Sequence, residues 1–373
     1  MANAAGRSFS VGTLIRMPAC AIVGVLFSSA AYGIARSSIS RAVGRGLVTL
    51  GLLGIVGFAG GTASIRLRDS ERGSRGDPRD AVPRFAPLPN PPERRPLSAR
   101  VHVLGLDGAT WDRIRPLLES GKLPNFARLR KEGACGPLKT IEPTHSALIW
   151  TTVVTGKSPE VHGIKSHYLQ QLAGMRRPNL VTEPWMGRIE DLLVATRLLR
   201  VLPVTSNFRL CKALWNITSD AGLRVAALGW WASQPPEAVN GWIVSEFAST
   251  GQRKELADRG LARNYGAEVT TYPAGFLDEL EGLERSPESV TREEIGAFLP
   301  VDEEAWAEFK AHPAFSRDWP LTTFRAPYLK DLFFAEAALK IEREHRPDLL
   351  LSYLRGIDVF GHLFWRFSEP EAV

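Results

Sequence analysis

Asp107 is the first of four side chains in this sequence whose type and position suit metal binding or nucleophilic chemistry. It closes the apolar run VHVLGLDG (101–108), and Gly108 keeps the backbone beside it open. A carboxylate in such a loop is a hard ligand of the kind that divalent cations prefer. The same Asp-Gly pair also occurs in ordinary turns and helix caps, so this segment alone leaves both interpretations open.

Ser146 lies in a second segment, TIEPTHSALIWTTVVTG (140–156). We expect a helix that starts at Pro143 and Thr144, with Thr144 as its N-cap. Ser146 then falls in the first turn, where free N–H groups and the helix dipole favour an alkoxide or a phosphate oxygen. An ordinary helix-start serine has the same local sequence. No GxSxG elbow surrounds Ser146, so a hydrolase triad of that type is unsupported.

Asp358 and His362 form the third candidate, in LRGIDVFGHLFW (354–365). Their i, i+4 spacing on a helix lets one carboxylate and one imidazole point towards the same metal ion. The spacing also arises often by chance. The three cysteines include no CxxC pair, so they indicate neither a cysteine zinc site nor a disulfide framework.

The elements that would position these residues alternate between strands and helices. Short apolar runs predict buried strands at 101–106, 223–230, 241–247 and 348–355, and helical patterns cover 111–120, 123–132, 208–221 and 329–346. This alternation predicts an α/β fold, a mostly parallel sheet sandwiched by helices. We expect residues 166–210 and 250–328 to be insertions that form a cap over the carboxyl ends of the strands.

Taken in order, several runs resemble the type I phosphodiesterase/nucleotide pyrophosphatase family of the alkaline phosphatase superfamily. VLGLDGATWD resembles the first metal-ligand strand of that family, and GKLPNFARLRKEGA the helix that follows it. PTHSALIWTTVVTGKSPEVHGI resembles the nucleophile helix, and YLRGIDVFGHLFW the strand that delivers an Asp and a His. The longer run LWNITSDAGLRVAALGWWASQPPEAVNGWIVSE (214–246) is similar to a strand-and-loop signature of bacterial members.

The resemblance implies a role for each candidate residue. Asp107 would bind one metal ion, shared with Ser146 as nucleophile, and Asp358 and His362 would bind a second. Two divalent ions would then support hydrolysis of a phosphodiester or phosphomonoester through a phosphoseryl intermediate. Zinc suits this mixed carboxylate and imidazole set, and manganese or calcium stays open. The substrate would be a phosphoester, lipid-linked or nucleotide.

The sequence departs from the family after His362. Family members continue with a Ser-Asp-His-Gly-like run and a later His that complete both metal sites, and neither follows Asp358 here. We therefore expect this catalytic domain (99–373) to be C-terminally truncated, a fragment of a longer reading frame. A naturally truncated relative that acts as a binding protein is one alternative. A transferase that passes the phosphoryl or head group to a lipid or glycan is another.

The N-terminal region has a different composition. Residues 1–98 hold 13 Arg, no Lys and 5 acidic residues, so they carry the excess behind the net charge of +6. Two uncharged apolar stretches, Met17–Ala35 and Leu47–Ile65, are long enough for a membrane anchor of two transmembrane helices within residues 1–66. A signal peptide followed by one anchor, or a buried hairpin, are the alternatives. The Pro- and Arg-rich segment 67–98 predicts a disordered linker.

These features predict that the protein lies in a membrane, the bacterial inner membrane. Because the basic residues flank the apolar stretches, we expect no nucleic-acid partner. The side of the membrane stays open. Arginine counts beside two spans favour a cytoplasmic catalytic domain. The habit of the resembled family favours an extracytoplasmic one.

Overall fold

The computed structural model describes residues 99–172, 179–180, 198–249, 268–312 and 320–368, with a few isolated positions elsewhere. The two predicted membrane helices and nearly all of the predicted linker lie outside the described residues. Within the described ranges, no helix combines the length and the hydropathy that a membrane span requires.

A five-stranded sheet in the order β1-β8-β5-β6-β7 organises the chain. Its strands are β1 (Val101–Leu106), β5 (Val225–Leu228), β6 (Gly241–Val244), β7 (Thr271–Tyr272) and β8 (Leu349–Leu354). The pairs β1–β8, β8–β5 and β5–β6 are parallel, and β7 joins β6 in the antiparallel direction. The continuous apolar runs of β5 and β8 become strands that are buried on both faces, as expected for the centre of a parallel sheet. The predicted mostly parallel α/β fold is confirmed.

Helices connect and cover these strands. In the described ranges they are α1 (Trp111–Glu119), α2 (Pro124–Glu132), α3 (Ser146–Thr155), α4 (Pro159–His162), α5 (Leu214–Asp220), α6 (Phe276–Leu280), α7 (Arg292–Gly296), α8 (Glu303–Ala311), α9 (Pro320–Thr323), α10 (Arg325–Glu344) and α11 (Gly356–Ser368). A second sheet has the order β3-β2-β4, with β2 (Tyr168–Leu172), β3 (Asn179–Leu180) and β4 (Leu199–Pro203).

The chain divides into two compact units. The larger one comprises residues 76–169, 180–183 and 203–373 and holds the five-stranded sheet. The smaller one comprises residues 1–75, 170–179 and 184–202. The predicted cap insertions, 166–210 and 250–328, are described only in part, and their role as a cap stays a prediction.

The core of the larger unit lies on both faces of the sheet. On one face, Phe334 and Ile341 of α10 pack against Ala226 and Leu228 of β5. On the other, Val225 and Ala227 of β5 belong to a cluster with side chains from α3 and α5, namely Val154 and Trp215. Neighbouring residues of one strand thus point to opposite faces. Helices must therefore cover both, as the sequence predicted.

Strand β1 forms one end of the described sheet. Its hydrogen-bonded partner is β8, and among its apolar side chains Val101 is 51 % exposed and Leu104 is 59 % exposed. The neighbouring helices α1 and α2 contain no buried residue. This edge is therefore much less covered than the central strands β5 and β8.

Two helix starts differ from the sequence prediction. Helix α3 begins at Ser146 with His145 as N-cap, so the predicted capping role of Thr144 is wrong. A helix was predicted over 208–221, but a 3-10 turn (Ser206–Phe208) ends at its first residue and α5 begins only at Leu214. The break follows from Arg209, whose guanidinium turns inward and donates to the carbonyl of Cys211 at 2.7 Å.

A buried ion pair joins this break to the loop after β5. The guanidinium of Arg209 donates to the carboxylate of Glu237, and both side chains are almost fully buried, at 0 % and 1 % exposure. Trp215 Nε1 donates to the same Glu237 oxygen at 2.7 Å, and Arg209 also donates to Asn216 Oδ1 at 3.2 Å. The pair is thus embedded in a hydrogen-bond network, as buried charges require.

Glu246 is a second buried acid and lies just after β6. The hydroxyl and the N–H of Ser233 both donate to Glu246 Oε2, at 2.5 Å and 3.1 Å. Burial raises the pKa of Glu246 from 4.5 to about 7, against the lowering effect of these hydrogen bonds. The folded chain therefore holds a proton on Glu246 that the unfolded chain loses at a lower pH.

We expect Glu246→Gln to flatten the dependence of stability on pH. Because the pKa is raised on folding, the stability from Glu246 is complete below pH 4.5 and is lost as pH rises through about 7. The amide stays neutral, so the melting temperature of the variant should exceed that of the parent at pH 8 and approach it at pH 5. Thermal unfolding followed by circular dichroism between these values measures this. Exposed Glu132→Gln is the control, and parallel curves for Glu246→Gln and the parent would contradict the prediction.

Candidate active site

The carboxyl ends of β1 and β8 bring two of the predicted ligands together. The strands pair in parallel with Leu106 opposite Leu354, and the N–H of Asp107 donates to the carbonyl of Leu354 at 2.9 Å. Gly108 has a φ of +70°, and a Cβ added there would lie 2.7 Å from the Cα of Asp358. The loop that carries Asp107 therefore touches the first turn of α11, which carries Asp358.

Both oxygens of the Asp107 carboxylate accept hydrogen bonds from aromatic side chains. Trp150 Nε1 donates to Oδ1 at 2.9 Å, and the hydroxyl of Tyr353 donates to Oδ2 at 2.5 Å. Trp231 Nε1 donates in turn to the Tyr353 hydroxyl at 2.8 Å. Burial and the Asp107 charge raise the pKa of Tyr353, so its hydroxyl stays a donor. An ionised carboxylate has about four acceptor positions, so both oxygens keep room for a cation.

Ser146 is the first residue of α3 and is half-buried. The His145 side chain does not cap the helix, and in the described part of the chain the Ser146 hydroxyl makes no hydrogen bond. Trp150 lies four residues further on, so the two side chains share one face of α3. Because Trp150 bonds to Asp107, the face that carries Ser146 is turned towards the Asp107 carboxylate.

Asp358 and His362 approach each other on α11 as their spacing predicted. Asp358 Oδ1 lies 3.6 Å from His362 Nε2, too far for a hydrogen bond. One ion about 2 Å from each atom would span this separation. Burial, and next the charge of Asp107, raise the pKa of Asp358. A cation would relieve that repulsion between the two carboxylates, so the residues present fit the predicted metal ions.

A set of three ligand-type side chains with ligand atoms within 4.8 Å of one another occurs elsewhere among the described residues, at Glu279, Glu344 and His345. Among the described residues, the ligand atoms of Asp107, Asp358 and His362 do not all lie within that distance of one another. The sequence assigned Asp107 to one metal ion and the other two residues to a second, so a single set of three is not required. Their roles as ligands, and that of Ser146, stay predictions.

The other side chains of this region were not predicted from the sequence. The rings of His145 and His167 lie 5.5 Å apart, edge to face, and His167 lies 5.0 Å from Trp231. The guanidinium of Arg355 lies 5.2 Å above the Trp231 ring. Burial first, and then the nearby charges of His145 and Arg355, lower the pKa of His167 to about 4. No motif marks these residues; the one signal was the place of Arg355 at the end of a predicted strand.

Comparison with known proteins decides the family. The sequence profile of type I phosphodiesterase / nucleotide pyrophosphatase matches residues 101–372, which is most of the chain and all four predicted site residues. The chain belongs to this family. The match begins at β1 and reaches past α11, so it includes every strand of the five-stranded sheet.

One solved structure similar to this family member is phosphonoacetate hydrolase from Sinorhizobium meliloti 1021 in complex with phosphonoacetate. The sequences are 17 % identical, the match covers 74 % of this chain and 53 % of that one, and the TM-score is 0.33. This chain thus spans about half the length of that protein. A search of curated proteins found no match.

Proposed function

We propose that this protein hydrolyses phosphoesters, with Ser146 as the nucleophile and two divalent metal ions, zinc first among them, as cofactors. The observation that carries the proposal is the bond from Trp150 to Asp107. It turns the Ser146 face of α3 towards the buried Asp107 carboxylate, and the next residue, Gly108, packs against Asp358. A nucleophile facing two carboxylates at the carboxyl ends of parallel strands is the arrangement that metal-assisted phosphoryl transfer needs.

Asp107 would hold one ion together with Ser146, and Asp358 with His362 would hold the other. When bound, the ions supply charge that favours the ionised serine and neutralises the negative charge gathering on the phosphoryl oxygens. The protein contributes orientation. Trp150 and Tyr353 fix the Asp107 carboxylate, and the packing of Gly108 on Asp358 fixes the distance between the two carboxylate loops.

The reaction we propose has two displacements. The Ser146 oxygen, having lost its proton to solvent, attacks phosphorus. The bond from phosphorus to the leaving oxygen breaks, and that oxygen takes a proton from solvent to become the alcohol. The N–H groups in the first turn of α3 face the negative charge that develops beside Ser146. A water molecule then attacks the phosphoseryl group, releases the phosphate product and returns a proton to Ser146.

Trapping the covalent intermediate tests this mechanism. The full-length protein is supplied with zinc or manganese, mixed with bis-nitrophenyl phosphate and quenched in acid, and its peptides are examined by mass spectrometry. We expect a phosphoryl adduct on the peptide that contains Ser146, and loss of both adduct and turnover after chelation. Turnover that survives complete chelation, or an adduct on a different residue, would contradict the proposal.

Tyr353→Phe should weaken metal binding by about 10- to 100-fold, because it removes a donor that orients the Asp107 ligand. The ring and its packing stay in place, so the fold is expected to persist. Isothermal titration with zinc, together with the metal dependence of turnover, measures the effect. Tyr328→Phe is the matched control, since its hydroxyl faces Glu294 on α7. Equal zinc affinities for Tyr353→Phe and the parent would refute the prediction.

We also propose, from the sequence alone, that residues 1–66 anchor the protein in a membrane. The two apolar stretches support this, and they lie outside the described residues. Fractionation of cells that express the full-length protein, with alkaline carbonate extraction of the membranes, tests the proposal. Release of the protein into the soluble fraction by carbonate would contradict it.

A further inference from the structure

We propose that Arg355, held against Trp231, is the specificity-determining residue that binds the second negative charge of a dianionic phosphomonoester. The inference rests on the proposed function and assigns the substrate class of the same site. It concerns a residue that the sequence analysis did not select and that no predicted metal site uses.

The backbone at Arg355 is held in place by hydrogen bonds to a side chain of α10. The carboxylate of Asp331, on α10, accepts hydrogen bonds from the N–H groups of Arg355 and Gly356 at 3.0 Å and 2.7 Å. The two residues link the end of β8 to the start of α11, and Asp358 follows two positions later. The Asp331 side chain is partly buried, and this burial raises its pKa. Arg355 therefore leaves the sheet at a defined point beside the predicted metal ligands.

The side chain of Arg355 is also fixed, at the face of Trp231. Its guanidinium carbon lies 5.2 Å from the ring centroid, within the range of a cation–π contact. Trp231 is held by the bond from its Nε1 to the hydroxyl of Tyr353, which bonds Asp107. A cation–π contact uses no guanidinium N–H group in a hydrogen bond to an oxygen, so these groups stay available. Those groups are the ones that bind two phosphate oxygens at once.

Arg355 differs from other arginines of the larger unit in its polar contacts. Several have a hydrogen-bonded carboxylate: Arg209 with Glu237, Arg253 with Glu284, Arg285 with Glu294, and Arg292 with Glu303. Within the part of the chain that the structure describes, the guanidinium of Arg355 donates to no carboxylate or carbonyl. Its N–H groups are therefore not engaged by a carboxylate and can donate to a bound anionic group.

The charge of Arg355 acts on the groups around the predicted nucleophile. Burial raises the pKa of Asp358 and of Tyr353, and the Arg355 charge opposes that rise; burial lowers the pKa of His167, and the Arg355 charge adds to that effect. The His167 ring packs edge to face against His145, the residue before Ser146. Arg355 thus lies between the end of β8 and the start of α3. At pH 8 a phosphomonoester carries two negative charges and a phosphodiester carries one, so an extra cation at this point favours the monoester.

Two substrates that share a leaving group but differ in charge distinguish a loss of charge recognition from a general loss of activity. Nitrophenyl phosphate is a dianion, and nitrophenyl methylphosphonate replaces one charged oxygen with a methyl group. For Arg355→Ala in the full-length, zinc-loaded protein, we expect kcat/KM for nitrophenyl phosphate to fall about 10- to 100-fold, the effect of a lost charged hydrogen bond. The value for the methylphosphonate should fall less than about threefold on the same basis. Arg355→Lys should lie between Ala and the parent.

Arg224→Ala is the control, because Arg224 precedes β5 at the amino ends of the parallel strands, away from Arg355 at their carboxyl ends, and donates to the carbonyl of Arg346. Equal losses for both substrates, or no loss for either, would overturn the assignment. Binding of inorganic phosphate to parent and Arg355→Ala, measured by titration calorimetry, needs no turnover. Weaker binding to Arg355→Ala supports the subsite and equal binding overturns it, even if the phosphoseryl mechanism fails its own test.

Discussion

Ser146→Ala should lower phosphoester turnover on the order of 10³-fold or more while leaving the protein folded. The proposed reaction forms its first new bond through the Ser146 oxygen, and removal of a nucleophile leaves only the binding and charge contributions of the site. Alanine is accepted in a helix at least as readily as serine. Within the described residues the Ser146 hydroxyl makes no hydrogen bond whose loss would destabilise α3.

The measurement pairs kinetics with stability. Rates with bis-nitrophenyl phosphate and with nitrophenyl phosphate are compared for parent and variant at saturating zinc, and thermal unfolding is recorded for both. Ser120→Ala, at the exposed end of α1, is the control and should keep the parental rate. A Ser146→Ala rate equal to that of the parent would remove the covalent mechanism. An unfolded variant would be replaced by Ser146→Gly for the same comparison.

Glu237→Ala should destabilise the larger unit by about 3–5 kcal/mol, the usual result when one partner of a buried ion pair is removed. The guanidinium of Arg209 would keep its charge in a site that water does not reach, since both side chains are almost fully buried. Trp215 Nε1 would lose its acceptor as well. Urea unfolding followed by tryptophan fluorescence measures the change in the free energy of unfolding.

A double variant distinguishes the free-energy cost of leaving the Arg209 charge unpaired from the net contribution of the ion pair to stability. In Arg209→Met with Glu237→Leu, apolar side chains of similar volume replace both ions, and such exchanges are often neutral in stability. We therefore expect the double variant to recover most of the loss of Glu237→Ala. Exposed Glu303→Ala, which breaks the ion pair with Arg292, should cost less than about 1 kcal/mol. A loss below that value for Glu237→Ala would contradict the prediction.

The strands of the fold were predictable from the sequence because their apolar runs are continuous. LRVAALGW and DLLLSYLR contain β5 and β8. A strand that is buried on both faces is apolar at nearly every position, so even a short segment shows the pattern. The helix predicted over 208–221 failed because a buried arginine interrupts it. Its partner Glu237 is 28 positions away, and local periodicity carries no information about such a bond.

The sequence could predict only those parts of the site whose residues lie close together along the chain. The i, i+4 pair Asp358 and His362 follows from the geometry of one helix. The hydrogen bond from Tyr353 to Asp107 joins residues 246 positions apart, so nothing near either residue announces it. Gly105 is another case, since a Cβ there would lie 2.8 Å from the Trp150 ring. Its small size makes sense only once α3 has packed onto β1.

The exposed edge strand β1 has a consequence for synthesis on the ribosome. It is made early, yet its parallel partner β8 emerges about 250 residues later. At about 5–20 residues per second the delay is roughly 12–50 s, during which an apolar strand has no partner to pair with. Unpaired strand edges invite association between nascent chains. Cells that make this protein should therefore depend on a holding chaperone during translation, and synonymous codons that slow the ribosome between β1 and β8 should lower the yield of folded protein.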